Sequence, residues 1–120
     1  MMIEKLDQSS GNILGYKVIG KITKQDFATV AAELETLFEQ EGDVRLLLEL
    51  EAFKGEEIKA QGDKRRFRGD YREKIPKLAI VGDQKWQEWL LPFIDMNYYN
   101  RETQFFPSGE SEAAWEWIHI

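Results

Sequence analysis

Three groups of residues in this 120-residue chain have types and spacings that could do chemistry. Glu49 and Glu51 fall on one side of a stretch with strand alternation, as a general acid/base pair would. With no nucleophile or base beside them, bonding to backbone, or pairing with Arg45 or a lysine, is the plainer use of such carboxylates. Lys64-Arg65-Arg66-Phe67-Arg68 concentrates four cations, a pattern that attracts an anionic surface and that also describes a solvated helix face. Trp86, Trp89, Leu91, Phe93, Tyr98 and Tyr99 crowd ring and apolar side chains into fourteen residues. Most of these belong in a core, but Leu90 and Leu91 cannot share one helix face, so part of Trp89 to Ile94 is left to line a pocket, meet a second subunit or touch lipid.

Two further patterns lack what their chemistry needs. Gly15-x-x-x-x-Gly20-Lys21 is followed by Ile22 where a phosphate-binding loop requires Ser or Thr for magnesium, and it spans a strand rather than following one. His119 is the single histidine, and the chain has no cysteine. It lacks the partners of a metal site or a Ser-His-Asp arrangement, and a residue so near the C-terminus is expected to fray. No catalytic residue, metal or cofactor is assigned.

The elements that must position these groups are organised around Lys77 to Asp95. Leu78-Ala79-Ile80-Val81 is an unbroken apolar run of strand length, as in a strand covered on both faces. Gly82-Asp83 ends it, and Trp86, Trp89, Leu90, Phe93 and Ile94 follow at helical spacing, with Pro92 favouring a kink or an early end. Upstream, Met2 to Leu6 and Ile13 to Ile19 read as a hairpin across the Gln8–Asn12 turn. Gly15 inside the second strand suggests a bulge or a close backbone approach. Thr23 and Asp26 form a capping box, Ile22 and Phe27 a hydrophobic staple, and Phe27, Val30, Ala31, Leu34, Leu37 and Phe38 the apolar stripe of a helix that Gly42 stops. Val44 to Leu50 is a third strand. The basic stretch after Gly55 reads as a helix ending before Pro76, weakened by Gly62 and Gly69 at about 1 kcal/mol each relative to Ala, and is the part expected to move most. Glu102 to Phe106 is the last strand and Ser108 to Ile118 the last helix, with Trp115 and Ile118 facing the core. The hairpin followed by alternating helices and strands predicts an α/β fold with a mainly parallel sheet.

Composition bounds the function. A chain of this length forms one domain, residues 1–120, burying about two-thirds of its unfolded surface. Its longest apolar run, Trp89 to Ile94, is far short of the roughly twenty residues that span a bilayer. The start MMIEKLDQ is not a secretory signal, and the lack of cysteine suits a reducing compartment, so the cytoplasm is the default expectation. A net charge of −6 argues against nucleic acid as a partner. The charge is uneven: from Lys54 to Lys77 nine Lys or Arg face five Asp or Glu, making that stretch net +4.

Gly11-Asn12-Ile13-Leu14-Gly15, the Leu46–Leu50 strand followed by Phe53 and Gly55, Val81-Gly82-Asp83-x-x-Trp86, and Ala113-Ala114-Trp115-x-Trp117-Ile118 together resemble the SpoIIAA-like family of small bacterial STAS-like domains, over essentially the whole chain. The resemblance implies a right-handed βα superhelix with a mainly parallel sheet of about five strands, the first antiparallel, and four helices. It also implies an association with membranes or apolar ligands. Anti-sigma-factor antagonists of this fold carry a phosphorylatable Ser or Thr where the helix after the third strand begins. Here that region, Glu51-Ala52-Phe53-Lys54-Gly55-Glu56-Glu57, has no hydroxyl, so a phosphorylation switch is not expected.

The leading expectation is therefore a non-enzymatic domain that binds an amphipathic or anionic ligand such as a lipid, or makes peripheral contact with an anionic membrane. Lys64, Arg65, Arg66 and Arg68 would meet acidic groups, and Trp86, Trp89 and Phe93 the apolar part. The alternative is a protein-interaction module, as a homodimer or with another partner, through the Trp89–Ile94 surface. An enzyme would need a perturbed pair in a cleft, such as Glu49 with Asp83, and ranks third.

Overall fold

Strand β4 (Lys77–Val81) carries the run Leu78-Ala79-Ile80-Val81 into the interior, where all four side chains are buried. It lies in a five-stranded sheet with β1 (Met2–Lys5), β2 (Ile13–Ile22), β3 (Arg45–Glu56) and β5 (Glu102–Phe106), in spatial order β1-β2-β3-β4-β5. β1 pairs antiparallel with β2, and every other pair is parallel. This is the sheet that the alternation of strands and helices predicts. The computed structural model describes residues 2–56, 74–82 and 102–120. Two helices are among them, α1 (Lys24–Glu41) and α2 (Ser111–His119). The other two of the four expected, in the basic stretch and after Gly82, lie outside the described residues.

Alternate side chains send each strand to two cores. Leu14, Tyr16, Val18, Leu46, Leu50, Leu78 and Ile80 pack on the face that meets Val30, Ala31, Leu34 and Phe38 of α1. Leu47, Ala79, Val81 and Phe106 pack on the opposite face, against Ala114, Trp115 and Ile118 of α2. A sheet covered on both sides has apolar residues at successive strand positions, which is why β4 shows no alternation.

α1 begins as its sequence dictates. The Asp26 N–H donates to the Thr23 hydroxyl, and the Thr23 N–H donates to the Asp26 carboxylate, satisfying two backbone donors at the helix start. Gly42, at φ 88°, ends it with its N–H on the Phe38 carbonyl. The Ile22–Phe27 staple lies outside the described side chains. α2 starts three residues later than expected because Pro107–Glu110 forms a turn, with Gly109 at φ 92° and the Glu110 N–H on the Pro107 carbonyl at 3.1 Å.

Two strand expectations change. β2 and β3 run past their expected ends at Ile19 and Leu50, pairing Ile19 with Ala52, Gly20 with Phe53, Lys21 with Gly55 and Ile22 with Glu56. The register shifts between Lys17 and Ile19 and again between Gly20 and Lys21, each time with an extra residue on β3, the signature of β-bulges. Gly15 is not at a bulge: it pairs with Leu47 in regular register. Its role is a close approach, by a side chain rather than by backbone. A Cβ built on it would lie 2.4 Å from Cη2 and 2.7 Å from Cζ2 of Trp115.

Candidate functional site

The parallel strands β3, β4 and β5 place the ends of the basic and aromatic stretches. Residues 57–73 leave from the carboxyl end of β3, at Glu56, and residues 83–101 leave from that of β4, after Gly82. Gly82 turns the chain off β4 at φ 155°, between its own N–H bond to the Phe106 carbonyl (3.0 Å) and Leu50, whose Cβ a Gly82 side chain would meet at 3.2 Å. Both stretches return at the amino ends of the strands. The Val44 N–H bonds the Lys74 carbonyl at 2.9 Å, and the Glu102 N–H bonds the Pro76 carbonyl at 2.7 Å. The expected binding residues Lys64, Arg65, Arg66, Arg68, Trp86, Trp89 and Phe93 all lie outside the described residues. The strands run in sequential order, without the reversal that opens a ligand crevice in doubly wound sheets.

Two of the nine basic residues counted from Lys54 to Lys77 have described side chains, and both are engaged within the fold. Lys77 Nζ donates to the Trp117 carbonyl at 3.0 Å and stands 4.5 Å from the centre of the Trp117 ring. Lys74 Nζ lies 5.4 Å from the centre of the Phe38 ring. Arg45 Nη1 donates to the Ile118 carbonyl at 2.8 Å. Arg45 and Lys77 thus bring positive charge to the negative pole of α2. Arg45 satisfies the Ile118 carbonyl, and Lys77 adds a second donor to the Trp117 carbonyl, which also accepts from the Ile120 N–H at 3.2 Å. Arg45 is committed to the helix end rather than to Glu49, the pairing its strand suggested. His119 is tied as well: its Nδ1 lies 2.6 Å from the Trp115 carbonyl, so Nδ1 carries the proton and donates. The expectation of a frayed histidine is corrected by that bond.

On the other face, one cluster had no prior expectation attached to it. Lys5 of β1 and Tyr16 of β2 each donate to a different oxygen of Glu33 on α1. Burial pushes the Tyr16 phenol above its ordinary value, helped by the bond to Glu33 and by the charge of that carboxylate. For Glu33, burial alone would raise the carboxyl. The hydrogen bonds from Lys5 and Tyr16 and the Lys5 charge outweigh it and hold Glu33 below its ordinary range. The sequence signal was present but weak: Tyr16 alternates with Leu14 and Val18 on the buried side of β2, where a hydroxyl needs a partner, and Glu33 flanks the stripe of α1.

The remaining candidates fare as follows. Gly15, Gly20 and Lys21 all sit inside β2, so no strand–loop–helix phosphate site exists there. Glu49 is half-buried on β3, and the Glu51 side chain is outside the described set. Among the described residues no group of three or more His, Asp or Glu side chains is placed to hold a metal ion, and no helix is long and apolar enough to cross a membrane. Because β3 continues to Glu56, residues 51–56 of the region read as the start of the following helix are strand. The missing hydroxyl does not depend on that boundary, since no Ser or Thr occurs between Thr36 and Thr103.

Comparison with known proteins agrees with this architecture. Residues 13–119 match the SpoIIAA-like family. A crystal structure of an uncharacterised DUF3478-family protein with a SpoIIAA-like fold, from Shewanella loihica PV-4, superposes with a TM-score of 0.74 at 21% identity, over 98% of this chain and 94% of that one. The anti-sigma factor antagonist SpoIIAA in its unphosphorylated form superposes with a TM-score of 0.64 at 10% identity, over 98% of this chain and 99% of its own. At these identities the likeness is one of fold. No curated protein sequence matches the chain.

Proposed function

The chain belongs to the SpoIIAA-like family, and from that premise we propose that it is a non-enzymatic STAS-like domain that binds an amphipathic or anionic ligand, or an anionic membrane surface. Lys64, Arg65, Arg66 and Arg68 contact the acidic groups, and Trp86, Trp89 and Phe93 contact the apolar part. The observation that supports this most is the strand order. A basic stretch and an aromatic stretch are the successive connections of three adjacent parallel strands, β3, β4 and β5, so both leave from the carboxyl ends of the strands and return at their amino ends. The basic stretch is also a local reversal of sign in a chain of net charge −6. Phosphorylation on Ser or Thr in the connection between β3 and β4 has no residue to act on, since none occurs between Thr36 and Thr103.

The test is co-sedimentation with phosphatidylserine-containing and with purely phosphatidylcholine vesicles, at low and high salt, for the native chain and for one with Lys64, Arg65, Arg66 and Arg68 changed to Glu. Binding to acidic vesicles that is lost on charge reversal supports the reading. Equal binding by the two proteins refutes the role of the basic residues. No binding to either vesicle moves the assignment to a protein partner meeting the surface between Trp86 and Tyr99.

A further inference from the structure

We draw no further inference here: the strongest candidate, the buried Thr103 hydroxyl without a partner on edge strand β5, adjoins no described cavity, and nothing in the structure shows what covers that edge.

Discussion

Replacing Gly15 with Ala tests the packing of α2 on the sheet most directly. The new methyl would stand 2.4 Å from Cη2 and 2.7 Å from Cζ2 of Trp115, with Leu6 Cδ1 at 3.4 Å behind it. Ordinary contact begins near 3.4 Å, so the indole must retreat by about 1 Å within the close-packed cluster it shares with the buried Leu47, Ala79 and Ile118. Overpacking of this kind costs about 1–3 kcal/mol, partly offset by about 0.4–1 kcal/mol from the reduced freedom of the unfolded chain. The net expectation is a loss of about 1–2 kcal/mol, which for a chain of this size lowers Tm by about 4–8 °C. Urea unfolding followed by far-ultraviolet circular dichroism should show a lower midpoint at unchanged slope. The second arm is Trp115→Phe, which removes the two colliding atoms together with an indole N–H that has no partner. Alone it is destabilising through the space it leaves, but combined with Gly15→Ala it should recover about 1 kcal/mol or more relative to the sum of the two single changes. A Gly15→Ala protein as stable as the native chain, or a double variant whose costs simply add, would refute the argument that Gly15 is small because Trp115 lies over it.

Other expectations concern the ends and seams of the helices. Thr23→Ala removes half of the capping box and should cost about 0.5–2 kcal/mol in the same unfolding assay. Glu33, held below its ordinary value of 4.5, contributes stability above that pH and loses it as pH falls through its lower folded value. Acid titration of Glu33→Gln should accordingly show a flatter stability profile below pH 4.5 than the native chain. Tyr16 has the opposite sign: its raised value in the fold means that stability falls as pH rises past 10. In Tyr16→Phe that part of the alkaline slope should vanish. Arg45→Met and Lys77→Met each remove a charge-assisted bond to the end of α2, worth about 1.5–3 kcal/mol. Hydrogen exchange should then accelerate first at residues 114–120, and protection left unchanged there would show that Trp115 and Ile118 hold the helix without them.

What could be read from the sequence was whatever is local. Thr23 with Asp26, three positions apart, marks the start of α1 and Gly42 marks its end, and the run of β4 announces burial on both faces without any knowledge of the covering helices. What escaped depends on distant partners. Residues 51–56, Glu-Ala-Phe-Lys-Gly-Glu, have poor strand propensity and no alternation; they are strand because β2 offers a long partner and two bulges absorb the mismatch in register, a case of tertiary context overriding propensity. Gly15 suggested a bulge or a close backbone approach; it is neither, and nothing near it in sequence could say that the Trp115 side chain, a hundred positions away, is what lies against it. The bond from Arg45 to the Ile118 carbonyl spans 73 positions, whereas Glu49 four positions on looked the nearer partner. The candidate binding residues were singled out by type and clustering alone, and all of them lie outside the described residues.

The packing of Lys74 and Lys77 sharpens what vesicle binding must look like. With these two held against Phe38 and Trp117, the stretch from Lys54 to Lys77 keeps seven basic residues against five acidic ones, and the proposed attraction would rest on Lys64, Arg65, Arg66 and Arg68. At about 1 kcal/mol per basic residue near an acidic surface, these four supply about 4 kcal/mol, roughly a thousandfold preference for acidic over neutral vesicles at low salt. The acidic remainder of the chain opposes that preference, so charge alone gives weak, salt-sensitive attachment. Under the proposed function, tight binding would therefore need Trp86, Trp89 and Phe93 to enter the apolar layer. The two contributions separate with ionic strength: at 1 M salt the screening length falls to about 3 Å, which removes the attraction and leaves ring insertion. Binding to acidic vesicles that disappears at 1 M salt assigns the surface to charge. Binding that persists there, and persists after reversal of residues 64–66 and 68, would remove the basic stretch from the mechanism and leave the rings to carry it.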